Sequence, residues 1–354
     1  MRLIAPRIPQ PSHSVRNLAL LFVLLSVTTF VPANASDAAR QSHAKHAKHH
    51  TDLAHAVIWI DPGDIKSRDL YYGIGGKEHE PKSPVTFVKE DLNGTSPKFD
   101  VHDAADEKWR AKTGAEARPE TAATRLLWAV GFLANENYFY PSLAVTGLPQ
   151  HLHRGQQNVS GSTVKNVRLQ RNAPHTKKIG DWDWKDKTFR GSRDFNGLRV
   201  MMALLSNWDL KNDNNAILED EKHPDRELLE VSDVGASFGR AGKSYTDSIT
   251  KANPNAYHRT KFIKHVHTDY IDFNFPTHPP FLYVFNPPFF FRHFRNRWIG
   301  KHIPRADVKW VATLLAQLSP EQIRSAFRAA GYGPDEVELY AKTIESRIAE
   351  LSKL

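Results

Sequence analysis

Cysteine is absent from all 354 residues, and this absence constrains the fold more than any motif does. It excludes disulfides, thiolate zinc sites, a cysteine nucleophile and a lipoprotein anchor. The constraint is sharp because the chain opens like an export precursor. Arg2, Arg7 and Arg16 lead into an apolar run, Leu18 to Val31, of about 14 residues, too short to span a bilayer comfortably. Ala33-Asn34-Ala35 gives the small-x-small end that predicts cleavage before Ser36. The expected localisation is therefore secreted or periplasmic, where disulfides are the usual reinforcement. Without them the fold must stand on its core, and 40% hydrophobic residues over this length suffice for one large or two modest domains.

Loss of the leader removes three of the 48 Lys and Arg and none of the 39 Asp and Glu, lowering the formal charge from +9 to +6. That mild excess favours anionic partners such as nucleotide, phospholipid or cell-wall polymer. It is spread along the chain and does not indicate nucleic-acid recognition. Residues 36–56 carry His43, His46, His49, His50 and His55 among Ala and Lys, and read as a disordered tail with a secondary capacity for zinc or nickel. Tyr72-Gly73-Ile74-Gly75-Gly76-Lys77 is glycine-rich but lacks the flanking strand and helix of a nucleotide loop, so a surface turn is expected.

The organised region starts near Val85. Val85 to Lys89, Lys98 to His102 and Lys108 to Lys112 read as a three-strand meander, with Asn93-Gly94-Thr95-Ser96-Pro97 as the first turn. Pro119 opens a helix that continues over Thr121 to Leu133, placing Leu126, Leu127, Val130 and Leu133 on one face. Leu143 to Thr146 and Thr163 to Leu169 read as two more strands, giving a five-stranded sheet with one helix. Beyond a polar stretch at 171–193 the pattern turns helical. Asp194 to Asn207 carries apolar residues at helical spacing, residues 228–232 form a short strand, and Ser319-Pro320-Glu321-Gln322 has capping-box spacing. Gly331 ends that helix, and Pro334 to Leu354 is amphipathic. The fold class expected is α+β, with a leader at 1–35, a tail at 36–56, a β-rich part at 57–170 and a larger, mostly helical part at 171–354.

Two fragments carry chemistry. Asp209-Leu210-Lys211-Asn212-Asp213-Asn214 spells D-L-K-x-x-N, and Asp233-Val234-Gly235 spells D-x-G nineteen residues after Asn214. Phosphoryl transfer needs a base for the acceptor hydroxyl, oxygen ligands for a divalent cation, and a cation on the nucleotide phosphates. Asp209 is the candidate base, and Asn214 and Asp233 are candidate hard ligands for Mg²⁺ or Mn²⁺. Lys211 would neutralise the transferred phosphoryl group. Lys112 closes the third strand, and Glu120 lies where a carboxylate is favoured at a helix start; the two would pair, with Glu116 as an alternative partner. Asn93 to Lys98 would form the phosphate-covering turn, supplying Asn93, Gly94, Thr95, Ser96 and Lys98. Each fragment also has a plain structural reading. Asn and Asp crowd turns because they bond local backbone, and a lysine–glutamate pair at a surface contributes little.

In motif order and spacing, Gly94-Thr95-Ser96-Pro97-Lys98, Ala111-Lys112, Glu120 with Leu126 and Gly131, Asn207 to Asn214 and Asp233 resemble atypical kinases of the HipA type. More loosely they resemble the phosphoinositide-kinase and secreted casein-kinase groups. The resemblance covers roughly residues 85–240. It implies a two-lobed kinase-like fold holding ATP and a divalent metal in its cleft, with Lys112 on the phosphates, Asp209 as base, and Asn214 and Asp233 as metal ligands. Asn207-Trp208 stands where ordinary protein kinases have His-Arg, and Ala236-Ser237-Phe238-Gly239 does not continue as a familiar activation segment.

The chain also contains Phe281 to Phe291 followed by Arg292, Arg295, Arg297 and Lys301, a composition suited either to a membrane surface or to an aromatic core. The expected function is an exported kinase-like protein that binds ATP and divalent metal and transfers phosphate to a protein, lipid or small-molecule hydroxyl. The alternative from a different class is a non-catalytic envelope protein that binds an anionic polymer or membrane through the kinase-like scaffold, the aromatic-basic segment at 281–301, or both. No serine–histidine–acid arrangement with family-level spacing is present.

Overall fold

Alternation of inward and outward side chains closes the middle of the chain into a small barrel. The computed structural model describes residues 55–94, 96–171, 175–186, 188–207, 209–239, 251–274 and 297–354, all within one compact unit, Lys48–Leu354. After a two-residue strand, β1 (Ala56–Val57), come β2 (Val85–Asp91), β3 (Lys98–His102) and β4 (Lys108–Thr113), an antiparallel meander. Helix α1 (Ala117–Ala129) follows, then β5 (Glu136–Thr146), β6 (Val159–Ser160) and β7 (Thr163–Arg171). β5 pairs with β2 in parallel and with β7 antiparallel, and β7 pairs back onto β4, so β4-β3-β2-β5-β7 is a closed ring. Phe99, Val101, Trp109, Ala111, Val167 and Leu169 fill its interior, while β5 and β7 pack against α1 and Lys112 of β4 reaches Glu120 on that helix.

The expected strands and helix form with shifted ends. β5 begins seven residues before the expected Leu143 and pairs with β7 in unbroken register past Pro141, which cannot donate a ladder bond and sits opposite Asn166, φ 51°. α1 starts at Ala117, two residues before Pro119, and ends at Ala129, with Gly131 at φ 92° just past its cap.

The glycine cluster is not a surface turn. Gly73 and Gly75 form a buried 3₁₀ turn, and a Cβ there would lie 2.4 Å from the Arg125 guanidinium and 2.2 Å from the Glu136 carboxylate, respectively. Glycine is needed for close packing, not for a phosphate.

The remainder holds more sheet than its composition suggests, although helix is still the larger share of its regular structure among the described residues. β8 (Thr176–Gly180), α2 (Arg193–Leu205), β9 (Asn215–Asp220) and β10 (Glu227–Val231) follow in order. Strands β1-β10-β9-β8 form one sheet. After α3 (Pro254–His258), strands β11 (Ile263–Val266), β12 (Tyr270–Phe273) and β13 (Ile303–Pro304) form another. These strands are short and carry charges on one face, so they leave little periodic signal. The polar stretch at 171–193 buries Trp182 and Trp184 against Phe189 and Phe195. The terminal helices α4 (Arg305–Leu315), α5 (Pro320–Ala329) and α6 (Pro334–Leu351) form as read, with the Ser319–Gln322 capping box in place. They enclose the main core together with α1 and α2; its centre includes Phe327 stacked on Tyr340 at 4.7 Å. Among the described residues no helix is long and apolar enough to cross a membrane. The histidine tail up to residue 54, Thr95, and the aromatic run at 281–296 lie outside the described residues.

Gly131 offers a direct check of this packing. Its φ is 92°, and a Cβ would meet the Ile60 carbonyl oxygen at 2.2 Å, whereas Gly147, φ 75°, has open space. Gly147→Ala is expected to cost about 1 kcal/mol from backbone strain alone. Gly131→Ala should cost several times more, read as the difference between the two in urea midpoints.

Candidate active site

The site is assembled by three local devices. The first is the seam of the barrel. Lys112 stands on the outer face of β4, directly opposite Lys98 on β3 and Arg168 on β7. Three cations in one row across adjacent strands repel one another unless acids intervene. α1 supplies the main acid: Glu120 is fully buried, with Lys112 Nζ 3.2 Å from its Oε2 and Arg168 Nη2 3.1 Å from its Oε1. Lys98 is paired separately with Asp91 at 3.3 Å.

The second device is the β9–β10 hairpin. Its register pairs Asn215 with Val231, so the residues just outside it, Asn214 and Ser232-Asp233, face each other. The Asn214 carbonyl accepts from Ser232 N at 2.9 Å and Asp233 N at 3.2 Å. Asp233 then reaches Lys112, its Oδ2 lying 3.0 Å from Nζ, while its Oδ1 accepts from Gly235 N at 3.2 Å.

The third device is the carboxyl end of α2. Ser206 adopts the left-handed conformation, φ 52°, and Asn207 N donates back to Met202 O at 3.0 Å, so the chain turns sharply out of the helix. Buried Arg347 holds this end, donating to Leu204 O at 2.7 Å and Ser206 Oγ at 3.1 Å. The turn delivers Asp209, whose N donates to Asn207 Oδ1 at 3.0 Å and whose carbonyl accepts from Asn214 Nδ2 at 2.7 Å. Asp209, Asn214 and Asp233 are thus linked through backbone and amide bonds.

Lys112 is the hub. Besides Glu120 and Asp233, its Nζ lies 2.8 Å from Glu116 Oε2, so both partners considered from the sequence are engaged. Burial alone would favour neutral Lys112; Glu120, Asp233 and Glu116 outweigh it and hold the ammonium charged, well above its ordinary pKa. Burial would likewise raise Glu116, but Lys112, then Lys251, bring its carboxyl down to about 2. Glu116 gathers the surrounding loops as well. It accepts from Ser96 Oγ at 2.9 Å, pairs with Lys251, and packs against Gly235, where a Cβ would approach Glu116 Cβ to 2.8 Å.

Of the residues singled out from the sequence, Lys112, Glu120, Asp233 and Ser96 converge on one cluster, and Asp209 and Asn214 adjoin it through the hairpin. Lys98 shares the cation row. Gly94, with φ 67°, and Asn93 form an exposed turn, with Asn93 N bonded to Asp91 Oδ1 at 2.9 Å. Lys211 Nζ pairs with Asp209 Oδ2 at 2.6 Å, where it would balance the charge of the candidate base. Arg168 and Lys251 went unrecognised in the sequence. Arg168 alternates with inward Val167 and Leu169 like any outward strand residue, and only the β4–β7 closure sets it against Glu120.

The donor set suits a hard divalent cation carried in by a ligand. Asp233 supplies a carboxylate and Asn214 an amide whose nitrogen is already committed to Asp209 O, leaving its oxygen as the ligating atom. Among the described residues no three His, Asp or Glu gather as a metal set, so phosphate oxygens would have to complete the coordination. Asp209 Oδ1 is buried without a hydrogen-bond partner among the described residues.

No protein-family model matches the chain, and no curated protein matches it. Among solved structures it is similar to the Helicobacter pylori proinflammatory kinase CtkA, with 11% identity, 76% of this chain and 96% of that chain covered, and a TM-score of 0.42. It is also similar to the Golgi casein kinase, with 12% identity, 76% and 75% covered, and a TM-score of 0.30. That kinase with Mn and ADP bound gives 11% identity, the same coverage and a TM-score of 0.29. Superpositions this loose carry no weight for chemistry, which rests on the side-chain geometry above.

The depressed Glu116 carboxyl has a pH signature. A carboxyl whose folded pKa lies below its unfolded value, ordinarily about 4.3, stabilises the fold above that value. The contribution is lost as pH falls through the folded value of about 2. Urea titrations between pH 5 and pH 2.5 should show stability falling more steeply for the native chain than for Glu116→Gln, which starts lower at pH 7. Parallel curves would contradict the assignment.

Proposed function

We propose that the protein is a phosphotransferase of kinase-like, two-lobed arrangement, binding a nucleoside triphosphate with Mg²⁺ or Mn²⁺ and passing its terminal phosphoryl group to a hydroxyl. The observation that carries this reading is the Lys112 hub. One buried ammonium bridges a helix carboxylate, Glu120, and the aspartate of the D-x-G turn, Asp233, 121 positions later. A lysine fixed by a helix glutamate next to a metal-holding aspartate is the arrangement that phosphoryl transfer by kinases uses.

In this reading the barrel strands and the Asn93–Lys98 turn cover the phosphates. Lys112 releases part of its contact with Glu116 and Asp233 to a phosphate oxygen, while Glu120 and Arg168 keep it oriented. Asp233 and the Asn214 amide oxygen would hold a divalent cation, which would offset phosphate charge. Asp209 Oδ1 accepts the proton of the attacking hydroxyl, and Lys211, already on Asp209 Oδ2, orients that carboxylate and offsets charge on the moving phosphoryl group. The leader at residues 1–35 supports action outside the cytoplasm, on an acceptor of protein, lipid or small-molecule class.

ATP with Mg²⁺ or Mn²⁺ at about 100 times its dissociation constant should stabilise residues 36–354 by about 2.7 kcal/mol in thermal melts. Asp233→Ala is expected to remove the metal-dependent part of that shift. Asp209→Ala should keep the shift and abolish ADP release in the presence of acceptor. No shift at millimolar nucleotide would overturn the reading. A shift without ADP release under any metal would leave a nucleotide-binding scaffold on an envelope protein.

A further inference from the structure

A cavity of about 410 Å³ lies beside the amino-terminal end of α2, lined by Arg190, Phe195, Arg199, Trp298, Lys301 and His302. It shares no residue with the Lys112 cluster, and the phosphotransfer reading gives it no role. Its charged lining is cationic. Arg199 is 6% exposed, and its described hydrogen bonds all end on neutral oxygens: Nε on Ile299 O at 2.9 Å, Nη1 on Asn196 Oδ1 at 2.6 Å, and Nη2 on Trp298 O at 3.0 Å and on Lys301 O. Burial, and then the like charge of Arg190, pull its pKa down to about 10.

The neighbouring acids are otherwise occupied. Asp307 accepts from Asn196 Nδ2 at 2.7 Å, one side chain removed from Arg199. Asp272 accepts from His302 N at 2.8 Å and faces His267 at 3.9 Å, and Asp194 pairs with Arg193 at 3.1 Å. Among the described residues Arg190, Arg199, Lys301 and His302 have no ion pair with a carboxylate.

Asp307 offsets part of the Arg199 charge from beyond Asn196, but a buried guanidinium with no carboxylate in direct contact is costly, and an anion in the adjoining space relieves the cost. The geometry also selects the anion. Arg190 and Arg199 lie 4.6 and 5.1 Å over the Trp298 ring, which is itself stacked on Phe195. Stacking orders a planar guanidinium; the fork of Arg190 matches phosphate oxygens, and Arg199, with one N–H on Nη1 uncommitted, adds charge and a single donor. The positive end of the α2 dipole adds to the same field. The volume exceeds what a bare phosphate fills and falls within the range of small-molecule sites.

We propose that this cavity binds a small organic phosphate monoester, its dianion held by Arg190, Arg199 and Lys301. The inference is independent of the phosphotransfer reading.

The test is ³¹P line broadening of phenyl phosphate on the full chain, with sulfate and chloride as competitors. Broadening is expected and should be reversed by excess inorganic phosphate. Arg190→Gln, on an exposed residue, and Arg190→Gln/Lys301→Gln should each weaken binding, the double variant by at least about tenfold, with melting curves confirming the fold. Gly147→Ala, remote from both sites, should bind as the native chain does. Absence of broadening at about 10 mM, binding unchanged in both arginine variants, or equal competition by chloride would each overturn the proposal.

Discussion

One buried ammonium organises the candidate site. Lys112 lies within 3.2 Å of three carboxylates contributed by a helix, the turn before it and a distant hairpin. Taking a lysine out of water is tolerable only with such partners, and removing a partner from a buried pair typically costs about 3–5 kcal/mol. The cluster therefore specifies where α1 docks on the barrel and where Asp233 comes to rest. The chemistry proposed for the site borrows the same contacts, since a phosphate oxygen can replace a carboxylate oxygen on Lys112 without changing the sign of its surroundings.

Much of this was legible in the sequence, for reasons that can be named. The meander from Val85 to Thr113 follows period-two alternation and an Asn-Gly turn. D-L-K-x-x-N and D-x-G sit at the two ends of one hairpin, so their convergence needs only local pairing. The Lys112–Glu120 contact was readable because only eight residues separate the two. What could not be read depended on closure of the barrel. Arg168 joins the cluster only because β7 returns to β4, and Lys251 only because the chain beyond Asp233 folds back on Glu116. Buried Trp182 and Trp184 sit among Lys and Asp that face outward, so composition mislabelled their segment as polar. Likewise Gly73 and Gly75 serve the approach of Arg125 and Glu136, a contact with no trace in local spacing.

Helix α2 links the two anion-oriented regions. Its first turns carry Phe195 and Arg199 into the basic cavity, and its far end presents Asp209. At 1.5 Å per residue, a helix of 13 residues spans about 20 Å. The Arg347 anchor on Leu204 and Ser206 fixes the end that carries the candidate base.

The row Lys98, Lys112, Arg168 across β3, β4 and β7 has a consequence for assembly. Strands that register correctly bring like charges together, so a barrel completed ahead of its helix would be pushed open at this edge. Asp91 answers the first of the three from within the sheet, and Glu120 answers the other two, so docking of the helix is what makes the β4–β7 seam electrostatically tolerable.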